Sequence, residues 1–161
     1  MAIRNPAELA EIMDENQPIL GLDVGAKTIG LALSDLTRTI ASPLETLRRG
    51  KFKDTALRLR AIIDEHGIGA LVVGLPINMD GSEGPRAQSV RQFAANLIAE
   101  IDIDICFWDE RLSTVAVEGA MLEADLSRAR RKQLVDKLAA AYILQGALDR
   151  MAVAGTQPPG R

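Results

Sequence analysis

Residues 18–24, PILGLDV, form an almost unbroken apolar run of strand length, and a second such run, ALVVGLP, occupies residues 70–76. A strand that is apolar on both faces has to be covered on both sides, which calls for a sheet with helices above and below it. The neighbouring segments supply those parts. Gly25 permits a tight turn out of the first run, and residues 28–35, TIGLALSD, alternate and predict a paired strand. Residues 39–47 predict a third strand, which Pro43 confines to a sheet edge. Residues 53–67 carry an apolar stripe through Ala56, Leu59 and Ile63 and end at Gly67, the pattern of a helix with a glycine stop. Residues 86–100 predict a helix with Val90, Phe93, Ala94 and Leu97 on one face, residues 103–109 a fifth strand, and residues 114–125 and 132–151 the closing helices.

Three strands joined by short turns form an antiparallel meander, whereas strands reached through a helix are parallel to their neighbours. The expected fold is therefore α/β, with a mixed five-stranded sheet and helices on both faces. This element order is the one used by ribonuclease H-like domains. Residues 1–17 are expected to form an N-terminal arm, residues 18–150 the domain, and residues 151–161 a flexible C-terminal tail. A chain of 161 residues, 47% of them hydrophobic, fits one domain with an aliphatic core. No run reaches the roughly 18 apolar residues of a membrane span, and the polar start MAIRNPAELAEIMDENQP lacks a signal-peptide core. A lone Cys106 forms no internal disulfide. These features lead to the expectation of a cytoplasmic protein without a membrane partner. The net charge of −3 disfavours a nucleic-acid coat protein but not a nucleic-acid enzyme, for which local patches such as RRGKFK (48–53) and RARRK (128–132) matter more.

Asp23 stands near the C-terminal end of a strand that is otherwise apolar, the end at which α/β sheets place ligands. A buried carboxylate has to be hydrogen-bonded, paired with a cation or bound to a metal. GLDVGAKT approaches a phosphate-binding loop, but Ala26 replaces the second glycine and an acid inside the loop would repel phosphate. An Asp-x-Gly between two strands also occurs in the actin, Hsp70 and sugar-kinase superfamily, whose ATPases need two such domains. Two further readings are a metal-dependent nuclease, with Asp23 in a carboxylate cluster, and a turn aspartate that caps the amides around Gly25.

Partners for a cluster exist. Asp109 and Glu110 close the fifth strand in FWDERLST and point to opposite faces, so one can serve a site while the other supports the turn; Ser113 or Thr114 can cap the following helix. Asp136 shares a helix face with Ala140, Ile143 and Ala147, a packing face on which an aspartate is costly. Ala139 and Ala140 allow that helix a close approach. Three acids at element ends, without a zinc-ligand pattern of His and Cys, fit Mg2+ or Mn2+. Such ions can activate water and stabilise the leaving oxygen in phosphodiester cleavage.

GLDVGAKTIGLALSD, VVGLPINMDGSEG, DERLST and VDKLAAAYIL together resemble the YqgF/RuvX family, ribonuclease H-like proteins assigned to pre-16S rRNA maturation and related to RuvC-type Holliday junction resolvases. The resemblance spans residues 18–150. It implies a metal-dependent hydrolase that matures the 5′ end of 16S rRNA, and it places the catalytic, metal-binding acids on Asp23, Glu110 and Asp136. Thr28 and Lys137 depart from the family pattern, at positions where Arg and a small residue are common. Related nucleases draw an acid from the strand equivalent to ALVVGLP, which has none; Asp80 in the next loop is the substitute to consider, beside Asp109.

Lys27, Arg86, Arg111, Arg130 and Arg131 are the candidate phosphate contacts, with Arg111 foremost because it follows Glu110. NMDGSEGP is expected to form a loop over the site. Trp108 and Cys106 are expected in the core and His66 at a helix end. The expected partner is nucleic acid, either precursor 16S rRNA within a ribosomal precursor particle or branched DNA. Cleavage of a four-way DNA junction would require a two-fold homodimer, whereas rRNA processing is compatible with a monomer. A non-catalytic module that binds a ribosome precursor, with the acids as structural caps, is the alternative outside enzymes.

Overall fold

The computed structural model describes residues 3–14, 16–112 and 128–156. The sheet has six strands: β1 (Ile3–Arg4), β2 (Ile19–Val24), β3 (Thr28–Ser34), β4 (Ala41–Arg48), β5 (Ala70–Leu75) and β6 (Asp104–Asp109), in the order β1-β6-β5-β2-β3-β4. The pairs β2–β3 and β3–β4 are antiparallel, while β2–β5, β5–β6 and β1–β6 are parallel. The meander and the crossovers are thus those expected. The expected five strands become six because Ile3 and Arg4 pair with Ile105 and Cys106. Two residues carry no periodicity of their own, so no sequence pattern marks that strand. β4 is the other edge, and its ladder shifts register where Pro43 comes opposite Ala32.

Helices α2 (Phe52–His66) and α3 (Pro85–Glu100) cover one face, while α1 (Pro6–Ile12) and α4 (Arg128–Thr156) cover the other. Strand alternation divides the core accordingly. Leu20, Leu22 and Val24 of β2 and Leu71, Val73 and Leu75 of β5 pack under α2 and α3, whereas Ile19, Ala70 and Val72 pack under α1 and α4. α2 stops at Gly67, whose φ of 66° is the left-handed conformation glycine adopts without strain.

The N-terminal segment is integrated into this scaffold. Asn5 and Glu8 form a capping box on α1, and Leu9 is fully buried against α4. α4 continues beyond residue 150, and Met151 is buried in the same cluster, so the helical part of the domain reaches further than the sequence pattern indicated. The helix expected over residues 114–125, the caps expected at Ser113 and Thr114, and residues 157–161 of the expected tail lie outside the described residues. Among the described residues no helix is long and apolar enough to cross a membrane.

Candidate active site

The parallel strands β2, β5 and β6 end together at one edge of the sheet, and Asp23 is the penultimate residue of β2. Its position in the alternation turns it toward α4, the face on which Ile19 and Gly21 also lie. Glu110 starts a 3-10 turn, residues 110–112, directly after β6. β5 lies between β6 and β2, so Glu110 has to cross it to reach Asp23. Gly74 leaves that path open: a Cβ there would lie 2.7 Å from Glu110 Oε1 and 2.9 Å from its Cγ. The Glu110 carboxyl crosses the glycine and hydrogen-bonds Asp23. A strand without an acid of its own thus admits one from its neighbour.

Asp136 is brought in from above. Gly30 is the β3 partner of Asp23, and a Cβ on Gly30 would lie 2.0 Å from the Asp136 carbonyl oxygen. The α4 backbone therefore rests directly on the sheet beside Asp23. Gly21 serves the same approach one turn later, opposite Ala140 and Leu144. Thr28 fixes the Asp136 side chain, with Oγ1 donating to Oδ2 at 2.7 Å. Thr28, one of the two residues that depart from the family pattern, is thus the one that orients the third acid.

Burial is the main force raising the Asp23 carboxyl above its ordinary value, and the charge of Asp136 adds to it. Glu110 is pushed up to about 8, first by burial and then by the charge of Asp23 and its hydrogen bond to it. The hydrogen bond between them lowers Asp23 and raises Glu110, so it favours Glu110 as the donor. The charge of Arg86, on the first turn of α3, acts on both acids in the opposite direction.

Among the described residues no three His, Cys, Asp or Glu side chains converge closely enough to hold a metal ion. Asp23 and Glu110 face each other, while the Asp136 carboxylate is turned to Thr28. The chemistry of the donors nevertheless fits a hard divalent cation: all are carboxylates, and burial and mutual charge raise two of them in a place where a dication would favour the charged form.

The remaining sequence candidates are distributed around this core. Asp109 is held by Arg111, with Nη2–Oδ2 at 2.6 Å and Nε–Oδ2 at 2.9 Å, and this pairing keeps the Asp109 carboxyl below its ordinary value. Arg111, the foremost phosphate candidate from sequence, is therefore engaged in bracing the turn, and it also donates to the Asn78 carbonyl at 3.4 Å. Asp80 accepts from the Ser82 amide at 2.9 Å and hydroxyl at 2.6 Å, so its carboxylate is turned into its own loop. Lys27 is exposed in the turn after β2. The side chains of Arg130 and Arg131 lie outside the described residues. Trp108 packs against Gly146 of α4, and Cys106 is buried, its thiol pushed up to about 12 by burial, so both belong to the core. His66 is the last residue of α2.

Sequence reasoning did not single out Thr28 as a support, Gly74 as a passage, or Arg49. A cavity of about 70 Å3 opens beside the end of β2, lined by Arg49, Arg86, Gly25, Ala26 and Ser89. The basic run 48–53 was the available signal for Arg49, and it also fits a solvated helix end.

The sequence model of one protein family, described as "RuvX: Holliday junction resolvase", matches residues 17–150. A Paramagnetospirillum magneticum protein is 60% identical over 149 residues, covering 92% of this chain and 96% of that protein. A Roseobacter denitrificans protein is 54% identical over 155 residues, covering 95% of each. Both carry the name "Putative pre-16S rRNA nuclease". Among solved structures, T. thermophilus RuvC in complex with a Holliday junction substrate superposes with a TM-score of 0.54 at 16% identity, covering 84% of this chain and 96% of that one. At that identity the likeness establishes a shared ribonuclease H-like fold.

Proposed function

The chain belongs to the RuvX family, and from that premise we propose that it is a nuclease that hydrolyses phosphodiester bonds, with a divalent metal, in the 5′-end maturation of precursor 16S rRNA. The observation that carries this reading is the contact of two buried carboxyls, Asp23 and Glu110, at the ligand-binding edge of the sheet, with Glu110 reaching Asp23 across Gly74. A structural cap would be fully served by backbone amides and would not need a second, buried acid brought across a glycine.

Asp23, Glu110 and Asp136 would hold Mg2+ or Mn2+, which supplies the Lewis acidity that lets water attack a phosphodiester. The chain's own residues prepare the place. Asp23 and Glu110 are held together by a hydrogen bond at the place the cation would take. Thr28 orients Asp136. The exposed Arg86 offers positive charge on the substrate side, next to both acids. Nucleic acid is the partner that this combination of acids and arginine suits, in the cytoplasm where ribosomes are assembled.

The description of the family model favours a second substrate, the four-way DNA junction. One experiment separates the two: Mn2+-dependent cleavage of a precursor 16S 5′-end RNA and of a four-way DNA junction, by wild type and Asp23→Asn. Cleavage of the RNA by wild type alone is the expected result. Cleavage of the junction alone overturns the substrate, and equal cleavage by both proteins overturns the site.

A further inference from the structure

Arg49 and Arg86 reach the same cavity from different parts of the chain. Arg49 lies between β4 and α2, and Arg86 on the first turn of α3. Arg49 is held in place: Nη1 donates to the Gly25 carbonyl at 2.7 Å, its backbone amide donates to the Lys27 carbonyl at 2.7 Å, and its guanidinium lies 5.0 Å from the centre of the Phe93 ring. These contacts use one of the five guanidinium N–H groups.

The two arginines also differ from others nearby. Arg58 is paired with Glu45 at 2.9 Å, Arg91 with Glu83 at 2.5 Å, and Arg111 with Asp109 at 2.6 Å. Among the described residues, neither Arg49 nor Arg86 forms an ion pair. Among the described residues no carboxylate lines the cavity, so the two guanidinium groups give it a positive wall that an anion can join. The cavity, about 70 Å3, has room for a few water molecules. That is the scale of one tetrahedral oxyanion rather than of a nucleobase. Arg86 on its wall is close enough for its charge to act on both Asp23 and Glu110, so an anion held there lies near the carboxylate pair.

We propose that the Arg49–Arg86 cavity binds one phosphate group of a nucleic-acid strand and thereby seats the strand beside Asp23 and Glu110. Assigning the phosphate to a strand rests on the nuclease reading; binding of a phosphate group does not. Guanidinium forks suit phosphate oxygens, and two forks from separate elements define where the phosphate sits as well as that it binds.

The test uses metal-free protein, so that it is independent of cleavage. Inorganic phosphate, and separately a short single-stranded RNA, are titrated at constant ionic strength while amide NMR signals are followed, with chloride as control. Saturable shifts confined to Gly25, Ala26 and Ser89 with both ligands are expected, and Arg86→Gln should weaken phosphate binding about tenfold or more. Arg49→Gln should do the same. Because Arg49 also ties Gly25 and Phe93, the exposed Arg86 variant decides the matter if Arg49→Gln does not fold. Unchanged phosphate affinity in Arg86→Gln, or shifts elsewhere than the cavity, overturns the proposal. Phosphate binding without RNA shifts at the same amides overturns the assignment to a strand. If both ligands bind as expected and no nucleic acid is cleaved with Mn2+, this inference stands and the proposed nuclease activity fails.

Discussion

Glu110 occupies the space that a side chain on Gly74 would fill, with its Oε1 2.7 Å from the position of a Cβ there. The two residues are on adjacent strands' ends, and the smallness of one lets the other reach Asp23. Gly74→Ala is therefore expected to displace Glu110 while sparing the fold. The atoms in the way are the ends of flexible side chains, Glu110 and Ile143, so the overpacking cost should be about 1 kcal/mol. Misplacing one carboxylate should lower cleavage about 100-fold. Denaturant unfolding and single-turnover cleavage measure the two effects. Wild-type cleavage by Gly74→Ala would remove Glu110 from the site.

Thr28 holds Asp136 through one 2.7 Å hydrogen bond. Thr28→Val keeps the shape and deletes the donor. Mn2+ affinity by calorimetry is expected to fall about tenfold, the usual effect of losing a partner that orients a metal ligand. Thr28→Ser should restore most of it. A purely structural threonine would give the same stability loss in Thr28→Val and unchanged Mn2+ affinity.

The longer strands and the unusual setting of Asp23 and Asp136 were legible in the sequence for the same reason: each is costly in any other setting. A continuous apolar run such as ALVVGLP belongs inside a sheet, and Asp23 or Asp136 within apolar faces needs a purpose. What could not be read was spatial. Gly74 reads only as a weak point in a strand until Glu110 is seen crossing it. Arg111 follows Glu110 in sequence, yet the 3-10 turn brings it back onto Asp109 two residues earlier. Arg49 is indistinguishable from a solvated cation in RRGKFK, because its partners Gly25 and Phe93 are remote in sequence. The strand Ile3–Arg4 exists only through its pairing with β6.

The raised Glu110 carboxyl fixes a pH dependence. Glu110 is pushed from 4.5 up to about 8 in the fold. Between those values the folded protein keeps a proton that the unfolded chain has released. The native state is therefore favoured below the lower value, and stability declines as pH rises toward the upper one. Melting of metal-free protein from about pH 5 to about pH 9 should show this decline, and Glu110→Gln should flatten it. Mn2+ has to displace the same proton, so its affinity should rise with pH up to about 8. Calorimetry in buffers of different ionisation enthalpy should record the release of about one proton per site. Affinity that is flat with pH would mean that Asp23 and Glu110 do not bind the ion together.

Gly30 supports the site from beneath. A Cβ there would lie 2.0 Å from the Asp136 carbonyl oxygen and 2.4 Å from its carbon. Unlike the neighbours of Gly74, these are backbone atoms of a helix packed on the sheet, and no rotamer change relieves the clash. Gly30→Ala is expected to cost about 3 kcal/mol or more, because α4 has to lift from the sheet. The control is Gly50→Ala, where a Cβ meets nothing within 4 Å and φ is not positive. That variant should be neutral or slightly stabilising, by about 0.5 kcal/mol. The comparison by chemical denaturation separates the close approach of α4 from the general effect of replacing glycine. Equal stabilities of the two variants would mean that α4 does not rest on β3 at Asp136, and the third acid would lose its place beside Asp23.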